Sequence, residues 1–175
     1  MKVFAVIGAG QNSGKTTAVE TLVKEFKSRG FRVGAIKQIH EENFSIDKRG
    51  KDTWRLNEAG ADIVVAASPN EVSAVKRIKG DRFNESLKLL EGQNLDYVIV
   101  EGHPLAKMPL IYASRSGAES ADKPIPKNTI CIVSLSPENI QTNEYPVYHI
   151  NRDVSIITDK VLECFMTEGA SEAKS

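Results

Sequence analysis

Between residues 9 and 16 the chain reads Ala-Gly-Gln-Asn-Ser-Gly-Lys-Thr, a set of residue types suited to holding a chain of phosphates. The pattern is G-x-x-x-x-G-K-[ST] with Ala9 at its first fixed glycine, and Gly8 and Gly10 on either side keep the backbone pliable. Successive amide N–H groups of such a loop point inward and form an anion-binding nest. The positive end of the helix that follows adds to the attraction. In this reading Gly10, Gln11, Asn12, Ser13, Gly14 and Thr17 wrap the phosphates, and Lys15 neutralises the β and γ groups. The Thr16 hydroxyl is a ligand for Mg²⁺. A chance glycine-rich turn is the competing reading. The buried strand before the loop and the amphipathic helix after it argue against that alternative.

A magnesium-bound nucleotide also calls for an acid at the end of a neighbouring strand. Asp96 opens the apolar run Asp-Tyr-Val-Ile-Val and Glu101 closes it. Only the C-terminal end of a parallel strand lies beside a phosphate loop. Glu101 is therefore expected to reach Mg²⁺, through water, and Asp96 to cap the far end.

Asp47, Lys51 and Asp52 lie in a polar stretch, residues 38 to 51 and just beyond, where switch-like loops of nucleotide-binding proteins reach the γ phosphate. Asp47 is the candidate for orienting a catalytic water beside Lys15, and Lys51 a candidate phosphate ligand. Against this stands an ordinary solvated loop, with Asp52 in the N-cap position of a short helix. Lys37 ends the second strand and can face the site. His40 and His103 fall on loops, His149 reads as structural, and the three form no ligand pattern. Trp54 and Phe44 read as packing, not as a stacking platform. Cys131 and Cys164 are far apart and read as buried thiols.

The elements that must position these groups follow from hydrophobic period. Lys2 to Gly8 is a nearly continuous apolar run, as in a strand buried on both faces. From Lys15 the period becomes helical, with Val19, Leu22, Val23 and Phe26 on one face and Gly30 as the stop. Arg32 to Lys37 is the next strand, so the opening unit is strand–helix–strand with a right-handed crossover. A helix over 53–59 and strands over 62–67 and 71–78, joined at Ser68-Pro69-Asn70, come next. A helix from Gly80-Asp81 carries Phe83, Leu87 and Leu90. Later strands are expected over 96–100, 110–114, 129–135 and 147–150, and a last helix from Asp153. Residues 117 to 127 read as a loop or flap. The pattern predicts an α/β chain with a three-layer phosphate-loop NTPase fold, its central sheet mostly parallel with an antiparallel addition. One nucleotide-binding domain is expected over 1–167, with a frayed polar tail over 168–175.

Lys plus Arg and Asp plus Glu both number 23, so the formal net charge is zero. That balance gives no electrostatic reason to expect nucleic acid or a membrane surface as partner. No apolar stretch nears the ~20 residues of a membrane span, and the N-terminus reads directly as a strand. A cytoplasmic protein is expected.

Several pieces occur in a fixed order: the phosphate loop, Val33-Gly34-Ala35-Ile36-Lys37, His40, then Asp47-Lys48-Arg49-Gly50-Lys51-Asp52-Thr53. Glu58-Ala59-Gly60-Ala61 and Val100-Glu101-Gly102 follow. With these the chain resembles the molybdopterin-guanine dinucleotide biosynthesis protein B family, MobB, most closely over residues 3 to 115. The resemblance implies a homodimer that binds GTP with Mg²⁺ and hydrolyses it weakly. Its implied partner is a MobA-like guanylyltransferase, which attaches GMP to molybdopterin in completing a molybdenum or tungsten cofactor. Three places depart from the family pattern: Gln38 for a common His, His103-Pro104 for Phe-Lys, and Ser134-Leu135-Ser136 without an acid for the guanine edge. A small-molecule kinase is one alternative, but Arg77, Arg82 and Arg115 are too scattered for an arginine-rich lid. A metallochaperone GTPase is another, and it would place Cys or His ligands near the nucleotide.

Overall fold

Strand β1 (Lys2–Gly8) sits in the middle of a six-stranded sheet, and its Phe4, Ala5 and Val6 are wholly buried. The computed structural model describes residues 1–8, 10–102, 108–115 and 124–172, with side chains described to residue 167. The other strands of this sheet are β2 (Val33–Lys37), β5 (Tyr97–Glu101), β6 (Leu110–Ala113), β7 (Thr129–Ser134) and β8 (Val147–His149). Their order is β2-β5-β1-β6-β7-β8, and every pairing is parallel. Apolar runs without alternation are what such a sheet requires, because both of its faces are dry. On β1 and β5, residues of both parities (Phe4 with Ala5, Val98 with Ile99) are fully buried.

One face packs on helices α1 (Lys15–Ser28) and α4 (Val154–Glu172). Ala18, Val19, Leu22 and Phe26 are the buried stripe of α1, at the spacing of one helix face. Phe26 is the centre of an aromatic group, its ring centroid 4.8 Å from Tyr97, 5.7 Å from Phe4 and 5.8 Å from Phe31. Burying such a side chain stabilises the fold by roughly 1.5–3 kcal/mol. Arg29 fastens the two helices at their edge. It pairs with Glu25 at 2.8 Å and Asp159 at 2.5 Å and donates to the Ser155 hydroxyl at 2.8 Å. Helix α4 continues to Glu172, into the segment expected as a frayed tail. Cys131 lies in this core, and burial pushes its thiol pKa up to about 12.

The chain divides into two compact units. The first comprises Met1–Gln38 and Leu90–Ser175, the second Ile39–Leu89. In the second unit lie α2 (Asp52–Glu58), the strands β3 (Ile63–Ala67) and β4 (Val72–Lys76), and most of α3 (Arg82–Leu90). β3 and β4 form a separate antiparallel hairpin. Its turn is closed as the Ser-Pro-Asn sequence predicts, the Glu71 amide donating to the Ser68 hydroxyl oxygen at 3.0 Å. Asp81 caps α3, accepting the amides of Phe83 at 3.0 Å and Asn84 at 3.1 Å.

The expected cap of α2 differs. Asp52 is the first helical residue, and Lys51, extended at φ −79° and ψ 165°, holds the cap position without a side-chain bond. Asp52 instead sits in the first turn, 3.7 Å from Arg55, where its charge favours the positive helix end. Among the described residues, no helix is long and apolar enough to cross a membrane.

Candidate functional site

The loop leaves the sheet between strands whose connections diverge. β1 leads through α1 to β2 on one side, while β5 leads to β6 on the other. In parallel sheets a ligand crevice forms at such a point, beyond the carboxyl ends of the strands. Three sequence-predicted groups converge there: the loop after β1, Glu101 at the end of β5, and Lys37 at the end of β2. Glu101 is in register with Val6 of β1 and with Lys37 of β2.

The start of the loop is fixed by close approach. A Cβ on Gly8 would lie 2.4 Å from the Ser13 Oγ and 2.5 Å from the Ala113 carbonyl oxygen. Ser13 can fold under the loop only because Gly8 has no side chain, and Ser13 is 3% exposed. Its hydroxyl donates to the Gly10 carbonyl at 3.1 Å and accepts from the Lys15 ammonium at 2.9 Å. Lys15 also donates to the Gly10 carbonyl. Lys15 is thus held over the loop it belongs to. Asn12 at φ 61° and Gly14 at φ 89° take left-handed conformations that turn the backbone into the helix. Helix α1 then begins at Lys15 with no acid in its first turn, so its unpaired amides keep their full positive character. Gly10 and Gln11 are exposed, and Thr17 is half-buried.

Thr16 reaches from the first turn of α1 to β5, its hydroxyl donating to Glu101 Oε1 at 2.8 Å. The same oxygen lies 3.2 Å from the Lys37 ammonium. A hydroxyl and a carboxylate are hard oxygen donors, and together they fit Mg²⁺, which takes a few protein oxygens and completes its shell with phosphate and water. Among the described residues no cluster of three or more His, Cys, Asp or Glu side chains is arranged for a metal. Asp96 is structural, as expected. Its carboxylate accepts the Arg32 amide at 2.7 Å at the opposite end of β5.

Asp47 and Lys51 belong to the second unit. There Asp47 accepts the Thr53 hydroxyl at 2.7 Å, and its other oxygen is buried without a hydrogen bond. Lys51 is exposed at the start of α2. His40 faces Arg82, 3.2 Å from its guanidinium, and Arg82 also donates to the Ile39 carbonyl at 2.9 Å. His149 is structural. Its Nδ1 accepts the amides of Asn151 and Arg152, both at 3.2 Å, so that nitrogen carries no proton. Trp54 carries the Arg49 guanidinium 5.8 Å from its ring centre, a contact the sequence reading missed. Ala9, His103 and residues 117 to 123 of the expected flap lie outside the described residues.

The model of the family "MobB: Molybdopterin guanine dinucleotide synthesis protein B" matches residues 3–135. A "Molybdopterin-guanine dinucleotide biosynthesis adapter protein" of Haemophilus influenzae is 34% identical over 66% of this chain and 63% of its own length. A "Putative molybdopterin-guanine dinucleotide biosynthesis adapter protein" of Methanocaldococcus jannaschii is 37% identical over 58% of this chain and 41% of its own. The chain thus spans less than two thirds of the length of these two relatives. The crystal structure of Bacillus subtilis MobB is similar along nearly the whole chain. It has a TM-score of 0.72 at 26% identity, covering 93% of this chain and 97% of that one.

Proposed function

The chain belongs to the MobB family, and on that premise we propose that it binds GTP with Mg²⁺ and serves as an adapter in molybdopterin guanine dinucleotide synthesis. The observation that carries the nucleotide half is the bond from Thr16 to Glu101 at 2.8 Å. It brings the hydroxyl after the phosphate loop and the acid of the neighbouring strand to one point, where a triphosphate on the loop would present its metal. Lys15 neutralises the β and γ phosphates, and the backbone of Gly10 to Thr17 and the amide end of α1 hold the rest. Thr16 and, by way of water, Glu101 would hold Mg²⁺, which would supply charge neutralisation at the phosphates.

The reading extends, through the sequence resemblance, to Lys51 as a phosphate ligand and Asp47 as the residue that orients water. Hydrolysis is then slow, because the catalytic effect rests mainly on charge stabilisation by Lys15 and the metal. The adapter half is supported by the names of the relatives, and its partners would be a MobA-like guanylyltransferase and molybdopterin, in the cytoplasm. A homodimer is supported by the β3–β4 hairpin, on which Ile63, Val65 and Val72 are 45%, 56% and 71% exposed. Exposed apolar side chains of that density mark an interaction surface.

Competitive calorimetry of GTP against ATP, with Mg²⁺ present, tests the nucleotide assignment. Preference for GTP is the expected result. Preference for ATP would favour the small-molecule kinase instead. Light scattering after gel filtration should report twice the chain mass, and a monomer at high micromolar concentration would sink the dimer.

A further inference from the structure

β2 runs beside β5, with Lys37 directly paired with Glu101. Paired residues on neighbouring strands project to the same face of a sheet, so the two side chains meet by construction. The ammonium lies 3.2 Å from Glu101 Oε1, the oxygen that also accepts the Thr16 hydroxyl at 2.8 Å. Glu101 is the enclosed member, its side chain 12% exposed against 59% for Lys37. A carboxylate so shielded from water needs a partner. The other strand in register, β1, offers it Val6, which carries no charge. Among the described residues Lys37 is the cation that touches Glu101.

We infer that Lys37 is a tethered counter-cation for Glu101 that competes with Mg²⁺ for this carboxylate and so sets how much Mg²⁺ the site requires. The inference rests on the nucleotide reading above. A metal engaging Thr16 and Glu101 meets a like charge within a few ångströms, so it binds only as Lys37 withdraws. Withdrawal is easy, since the ammonium ends a flexible four-carbon stem that is mostly in solvent. When Mg²⁺ is scarce, the same lysine keeps the Glu101 charge from repelling incoming phosphates. Lys37 is thus a positioning residue that acts through Glu101, distinct from Lys15, which the loop itself directs at the phosphates.

The test is the binding of a fluorescent GTP analogue across a series of free Mg²⁺ concentrations. Wild type, Lys37→Met, Lys37→Arg, Glu101→Gln and the double variant Lys37→Met/Glu101→Gln are compared. Lys37→Met should lower the half-saturating Mg²⁺ concentration by about two- to fivefold, the scale of one exposed ion pair. It should also weaken nucleotide binding in chelator, and Lys37→Arg should resemble wild type. In the Glu101→Gln background, Lys37→Met should cause no further shift. A Mg²⁺ requirement that is unchanged or higher in Lys37→Met overturns the inference, as does an equal shift in the Glu101→Gln background. Wild type that binds the analogue without regard to Mg²⁺ overturns instead the metal reading on which the inference stands.

Discussion

The Thr16 hydroxyl donates to Glu101 Oε1 at 2.8 Å, joining groups 85 residues apart in the chain. The bond leaves the threonine oxygen with lone pairs free to face a metal, while fixing the direction in which they point. It also orients the carboxylate, the service that an outer partner commonly gives a metal ligand.

Removing either end of that bond should therefore act on the metal more than on the nucleotide. Glu101→Gln is expected to raise the Mg²⁺ concentration needed for GTP binding by about tenfold, within the range for loss of an orienting partner. Thr16→Val should do so more strongly. Affinity in chelator should change little for Thr16→Val. Calorimetry at stepped Mg²⁺ concentrations reads both effects. If the two variants lose affinity equally with and without Mg²⁺, the Thr16–Glu101 pair is not the metal station.

Gly8→Ala should damage the loop through packing alone. The added Cβ would fall 2.5 Å from the Ala113 carbonyl oxygen, a backbone atom of β6 that cannot move aside cheaply. Destabilisation of about 1–3 kcal/mol is expected from such overpacking, along with loss of the Ser13 position under the loop. Chemical denaturation gives the first quantity, and GTP binding reports the second. Wild-type stability in this variant would show that the approach of Ser13 to Gly8 is not a tight one.

How much of this was legible in the sequence depends on how local each feature is. The phosphate loop, α1 and its buried stripe are written in consecutive residues and needed no tertiary information. Glu101 could be chosen over Asp96 because parallel strands present one end to the site, a rule of topology that requires no coordinates. The strands over 62–67 and 71–78 were legible too, from their short apolar, β-branched runs and the Ser-Pro-Asn turn. The ion pair of Lys37 with Glu101 was not, because it depends on β5 lying between β2 and β1, and strand order leaves no periodic trace. The Asp52 cap was misjudged by one residue. Asp is favoured both as a cap and in the first turn, and Thr53 already has Asp47 as its partner.

The second unit should show a local pH dependence. Hydrogen bonds and charge from Lys76 and Lys88 pull the Glu85 carboxyl down from its ordinary value of 4.5 to about 2. A depressed carboxyl contributes its stability fully above the unfolded value. That contribution is lost as pH falls from 4.5 through about 2. Carbon-detected NMR titration should find Glu85 charged well below the other surface glutamates, and Glu85→Gln should flatten the acid limb of local stability. A Glu85 midpoint at or above its ordinary value would contradict the contacts with Lys76 at 2.5 Å and Lys88 at 2.7 Å.

The central claim is that the loop from Gly10 to Thr17 holds the triphosphate, and Lys15 tests it most directly. Its ammonium sits over the Gly10 carbonyl and the Ser13 hydroxyl and supports no part of the core, so the folded chain should survive its loss. Calorimetric titration of GTP with Mg²⁺ into wild type and Lys15→Ala should give a saturable heat for the first and none for the second. Equal GTP affinity in the two proteins would contradict the account.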